Sequence, residues 1–294
     1  MVRKPTFAGQ FYESNEQALD KQITDCFNDK NGPGDIPISK RTKNIQAIIA
    51  PHAGYVFSGP CAAWAYKEIA ESEFPDLYII IGPNHHSQIN AVSLDGYETP
   101  LGLVRVDKEF ANALLAKNSE LVADEKVHEE EHSIEVQLPF LQFATKDKMH
   151  ELKIVPIIVG DIDFAKLALD LKELLLDSGK KAIFIISSDF THYGRAYHHI
   201  PFSTDVKKKI YEQDRHAIEF IEKLDAEGFM KYTEDNMMTI CGSPAIAILL
   251  KTLKSSKVSL EQYYTSADLE DVPEEKQYKN SVSYAAIIFN QDNI

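Results

Sequence analysis

Three apolar runs that end abruptly in polar turns restrict the fold of this chain more than any other feature. Residues 44–50 (Asn-Ile-Gln-Ala-Ile-Ile-Ala) lead into Pro51-His52-Ala53-Gly54-Tyr55. Residues 77–81 (Leu-Tyr-Ile-Ile-Ile) lead into Gly82-Pro83-Asn84-His85-His86. Residues 182–186 (Ala-Ile-Phe-Ile-Ile) lead into Ser187-Ser188-Asp189-Phe190-Thr191-His192. Such runs are too short for buried helices, and their lack of polar alternation marks strands covered on both faces. In open α/β sheets, ligands bind just beyond the carboxyl ends of the strands. The pattern therefore predicts a shared crevice receiving His52, His85, His86, Asp189 and His192.

The intervening segments alternate between helix and strand. Leu19, Ile23 and Phe27 recur four apart and predict a helix over 15–27. Another is expected over about 59–70, where Cys61, Trp64, Ala65 and Glu68 keep helical spacing. Helices over 107–117 (capped by Asp107), 164–176, 203–223, 226–232 and 245–253 alternate with β-like runs at 91–94, 101–106 and 152–159. This alternation means an α/β fold, a mainly parallel sheet covered by helices on both faces. The late runs 258–265 and 281–289 are expected to pair antiparallel at its edge. Residues 268–275 between them read as an exposed acidic loop. No long linker or repeat divides the chain, so residues 1–294 are expected to form one domain.

The charge balance narrows the function. With 45 acidic against 31 basic residues and a net charge of −14, the chain is poorly suited to bind nucleic acid or anionic lipid. No stretch approaches the roughly 20 apolar residues needed to span a bilayer, and no secretory signal follows Met1. Cys26, Cys61 and Cys241 are odd in number and far apart, which argues against a disulfide framework and for a reducing, cytoplasmic setting.

The strand-end residues have the chemistry of a transition-metal site. Two imidazoles with one anionic ligand can hold an ion and leave coordination positions open. His52 and His85 are the natural imidazoles, since each lies within a few residues of a strand end. Adjacent side chains diverge, so only one of His85 and His86 is expected to bind. Asp189 and Cys241 compete for the anionic place. Cys241 precedes a helix that starts near Ser243, where the helix terminus favours the thiolate. His192 is placed to move protons beside the metal. Glu131, His132 and Glu135 are candidates to support the ligands, and Asp189 and His132 join His192 as candidate catalytic groups.

Plainer readings compete with each of these. A single histidine is more often a hydrogen-bonded residue than a ligand, a single cysteine more often a small buried hydrophobe. The acidic run 129–131 reads as solvated surface. Ser187, Ser188, Asp189 and His192 supply serine-hydrolase residue types, but no Gly-x-Ser-x-Gly elbow holds them. Phosphate-binding glycine motifs are absent. Zinc accepts the same ligands, so a zinc hydrolase is an alternative.

Taken together, Pro51-His-Ala-Gly-Tyr55, Gly82-Pro-Asn-His-His86, Glu131-His-Ser-Ile-Glu135, Ser187-Ser-Asp-Phe-Thr-His192, Thr239-Ile-Cys-Gly242 and Ser281-Val-Ser-Tyr-Ala-Ala286 resemble the motifs of the Memo family. The motifs run in order over nearly the whole chain. The resemblance implies a fold similar to class III extradiol ring-cleaving dioxygenases, with His52, His85 and Cys241 as ligands of iron or copper and Asp189 and His192 beside them. Where the extradiol enzymes use two histidines and a glutamate, this chain offers Cys241. The resemblance also implies two roles. One is a redox or dioxygenase-like metalloprotein; the other is a binding module for an anionic or phosphotyrosine-type peptide.

Overall fold

The computed structural model describes residues 2–37, 40–270 and 279–291. Five parallel strands form its centre, in the order Gly102–Val106, Lys153–Val159, Leu77–Pro83, Ala182–Ser187, Ile45–Ala50. Asn280–Asn290 adds antiparallel beside Ile45–Ala50, and Lys257–Thr265 lies antiparallel outside it. The sheet is thus mixed and mainly parallel, with the two late strands at one edge as their position in the sequence suggests. At the other side Gly96–Thr99 pairs antiparallel with Gly102–Val106, and Val2–Arg3 joins Gly96–Thr99 in parallel.

Successive residues on each central strand face opposite layers. Ile48, Ile80, Ile154 and Ile185 pack with helices Glu16–Asn28, Tyr55–Glu71 and Gln137–Ala144. Ile49, Ile79, Val155 and Ile186 pack with helices Lys108–Lys117, Phe164–Ser178, Val206–Glu222, Ala226–Asp235 and Ser243–Thr252. Both faces are dry, which is why the runs are continuously apolar. Truncating one of these isoleucines to alanine removes contacts on a closed face and costs about 2–5 kcal/mol.

The first helix after a central strand begins at Tyr55, four residues before the expected start. Pro60 suggests a later start, yet it sits inside the helix. Entry is fixed instead by Gly54 and by the Tyr55 N–H, which donates to Phe11 O at 2.8 Å. The connection is therefore only residues 51–54, and His52 has little freedom. The helix Gln137–Ala144 was not anticipated. Of the acidic run at 268–275, Asp268 and Leu269 close a 3-10 turn, Ser266–Leu269, while residues 271–275 lie outside the described residues. No helix among the described residues is long and apolar enough to cross a membrane.

Candidate metal centre

Parallel register brings the strand ends together. Ala50 lies opposite Ser187, and Ile81 opposite Ile186. The His52 and His85 rings that follow have centroids 5.2 Å apart. The His52 N–H donates to Asp189 Oδ1 at 2.9 Å, locking two strand-end turns to each other. Cys241 arrives from the turn before helix Ser243–Thr252, with Sγ 3.2 Å from His52 Nε2. That approach requires Gly242, because a Cβ there would sit 2.5 Å from Ser188 Cβ.

Hydrogen bonds fix which nitrogen each imidazole offers. The Ser187 hydroxyl donates to Ser133 O at 2.6 Å, so its lone pairs accept from Gln137 Nε2 and from His52 Nδ1, each at 2.8 Å. The Glu131 carboxylate can only accept, and it takes His85 Nδ1 at 2.9 Å and His85 N–H at 2.7 Å. His192 Nδ1 lies 2.9 Å from both Phe190 O and Thr239 O, which are acceptors only. In all three residues Nδ1 is therefore the donor, and Nε2 keeps its lone pair. Metal-binding histidines are typically held this way, through the ring nitrogen that does not bind.

Burial and charge set the protonation states. Burial, then the neighbouring His85, hold the His52 imidazole well below its ordinary range, so it stays neutral and able to bind a cation. Burial, then His52, push His132 down to about 3. For Glu131 burial opposes ionisation, but the hydrogen bonds donated by the His85 ring and backbone N–H outweigh it and keep a carboxylate. Asp189 is shifted the other way by its burial. The Cys241 thiol is pushed up by burial and then by the Asp189 carboxylate, contrary to the lowering expected from the helix terminus. A bound cation reverses that balance, since a coordinated thiol is deprotonated.

The acidic run is not solvated surface throughout. Glu131 and Glu135 are buried. Glu135 accepts from the Arg3 guanidinium, Thr6 N–H, Phe7 N–H and Tyr12 hydroxyl. Arg3, itself buried, also donates to His128 O and Glu131 O. Sequence reasoning missed Arg3, Ser187 as a tether and Gln137. Only Ser187 lay within a recognised motif. His132 lies over the site, its ring 5.3 Å from that of His52 and 4.6 Å from that of Phe11. His86 is exposed. A serine–histidine pair does exist, Ser187 with His52, but Ser187 is fully buried and spends its proton on a carbonyl, so it cannot attack a substrate. Beside the donors a cavity of about 460 Å³ is lined by Phe11, Phe57, His132, Asp189, His192 and Tyr197.

The donor atoms of His52, His85 and Cys241 lie within 4.8 Å of one another. Atoms that share one ion at about 2.0–2.3 Å must be that close, so this set fits a transition metal. His85, Glu131 and His132 form a second group within the same distance. There the two imidazole rings are stacked, 4.7 Å apart and 19° from parallel, so their in-plane lone pairs cannot converge on one ion. Asp189 belongs to neither group.

The fold and site define an α/β protein with a candidate His-His-Cys metal centre at the carboxyl edge of a mainly parallel sheet. The chain belongs to the Memo-like protein family, whose sequence model matches residues 3–288. It is 36% identical over 302 residues to a MEMO1 family protein of Methanopyrus kandleri, covering 99% of this chain and 100% of the relative. A MEMO1 family protein of Thermotoga neapolitana is 37% identical over 278 residues, covering 92% of this chain and 94% of that protein. Among solved structures, an uncharacterized protein from Escherichia coli K12 superposes with a TM-score of 0.51 at 11% identity. The match covers 82% of this chain and 99% of the other, and it is a likeness of fold.

Proposed function

We propose that the protein is a transition-metal protein of redox type, with His52 Nε2, His85 Nε2 and Cys241 Sγ as the ligands and a small ligand bound in the adjoining cavity. The observation that carries this reading is the convergence of two imidazole nitrogens, with Nδ1 of each ring tied back, on the half-buried Cys241 thiol. The bound ion, iron or copper, supplies one-electron or oxygen chemistry. The soft thiolate makes copper(I) the better match and leaves zinc a competitor. His192 presents Nε2 to the cavity and is assigned to hold or move a proton there. Asp189 is assigned to fix the His52 backbone, which leaves its second oxygen to bear charge or a proton, and His132 closes the wall above His52.

A second reading, favoured by the aromatic wall of Phe11, Phe57 and Tyr197, is a binding module for an anionic or phosphotyrosine-type peptide. Metal analysis of protein purified without chelator separates the two. One transition-metal ion per chain, lost in His52→Ala and kept in His192→Ala, is the expected result. Chains that carry no metal and take up none would leave the binding module. Stoichiometric zinc with hydrolytic turnover would instead favour a zinc hydrolase. Cys241→Ser should weaken copper(I) and zinc more than iron(II), because only the soft ligand is lost. Equal retention of all three metals in competitive anaerobic titrations would move the third position to Asp189.

A further inference from the structure

At the opposite, amino-terminal edge of the sheet lies a second cavity, of about 540 Å³, between the end of helix Phe164–Ser178 and the residues that follow helix Ser243–Thr252. Its apolar surface comes from Leu175, Leu176, Phe184 and Leu253. Leu176 is 76% exposed, a large apolar side chain that the fold itself leaves uncovered. Its rim is cationic in a chain of net charge −14. Lysines nearby are neutralised: Lys180 pairs with Asp107 at 2.9 Å, and Lys251 pairs with Glu227. Lys172 and Lys254 make no ion pair among the described residues. The charged groups that act on Lys172 are instead the ammonium groups of Lys254 and Lys251, and these, after burial, lower its affinity for a proton.

We propose that this cavity binds a small amphipathic carboxylate, its head on Lys172 and Lys254 and its chain against Leu175, Leu176, Phe184 and Leu253. Charge complementarity selects an anion, since two mutually repelling cations that form no ion pair among the described residues gain most from one. The apolar floor selects a ligand with a hydrocarbon body, and the volume lies in the range of small-molecule sites. The site is separate from the metal centre and does not depend on how that centre is read.

The test is calorimetric titration of the full chain with sodium octanoate at low ionic strength. Saturable binding near one equivalent is expected, weakening as salt is added. Acetate and inorganic phosphate should give no saturable binding over the same range, and 1-octanol should bind at least about tenfold more weakly. The double variant K172Q/K254Q should lose about tenfold in octanoate affinity, the scale of one good charge-assisted contact. L176S should also weaken octanoate while keeping both lysines, and H52A should leave it unchanged. The proposal is overturned if K172Q/K254Q binds octanoate like the parent. It is equally overturned if phosphate or octanol binds as well as octanoate, or if the chain binds phosphatidylglycerol vesicles but not monomeric octanoate.

Discussion

His52 and His85 belong to the same donor set but are held by opposite means. His52 is 2% exposed and tied through Nδ1 to a neutral hydroxyl, Ser187, inside the sheet's own end. His85 stands on an exposed turn and is tied through Nδ1 and its backbone N–H to the Glu131 carboxylate. A neutral partner only orients an imidazole; a carboxylate also makes it a stronger electron donor to a bound cation. The first arm is rigid because the core is rigid. The second is rigid because a chain of ionic contacts makes it so, from Arg3 through Glu135 and the Glu131 carbonyl. A site built in this way has one arm that fails with the fold and one that fails with its electrostatics.

The largest effect should come from cutting the ionic chain. Arg3→Ala leaves Glu135 charged and buried without its cation, which should cost about 3–5 kcal/mol in denaturant unfolding. A loss below about 1 kcal/mol would mean that the Thr6, Phe7 and Tyr12 donors alone support Glu135. Next, Glu131→Gln should reduce metal affinity by about 10–100-fold with modest change in stability. Ser187→Ala should do the reverse, costing about 1–3 kcal/mol of stability because Gln137 and His52 lose an acceptor and Ser133 O a donor. Metal affinity and stability measured on both variants would erase the distinction between the arms if they changed in parallel.

Near neutral pH the smallest effect is one of pH beneath the His85 arm. His128 is buried, with Nδ1 2.7 Å from the Tyr97 hydroxyl, and its burial lowers it from 6.5 to about 3. Between those values the unfolded chain binds the proton and the folded chain does not. Its contribution to stability is therefore complete above about pH 6.5 and is lost as pH falls toward 3, with a slope of at most about 1.4 kcal/mol per pH unit. His128→Gln should flatten the acid limb of the stability profile by that amount. An unchanged limb would place the acid sensitivity on His52 and His132.

The sheet and the meeting of His52, His85 and Asp189 were legible because buried parallel strands leave continuous apolar runs, and their ends carry the site. Cys241 was legible only as one of two anionic candidates, since no local pattern says which strand a distant turn will approach. The reading of 129–131 as solvated surface holds for Glu129 and Glu130 and fails at Glu131 for a physical reason. Glu131 and Glu135 are buried because backbone N–H groups, Arg3 and two imidazoles surround them, and those partners lie up to 132 residues away. The start of helix Tyr55–Glu71 was misread because Gly59 and Pro60 normally break helices, whereas here the boundary is set by a tertiary hydrogen bond to Phe11.

The antiparallel strand Asn280–Asn290 sits directly against Ile45–Ala50, the strand that aims His52. During synthesis the early strand must therefore wait for almost all of the described chain before its neighbour exists. Beside Asp189, the Phe190 N–H donates to Ser283 O and the Ser283 N–H to Thr191 O, late backbone contacts of the same kind. Pairings so distant in sequence are slow to form, because the long loop must close before any contact rewards it. The candidate donor set is thus assembled after translation has nearly finished, so any ion it holds would enter a chain that has already folded. On the proposed reading, metal loading would be a separate event from folding, open to whichever supply of metal meets the completed apo-protein first.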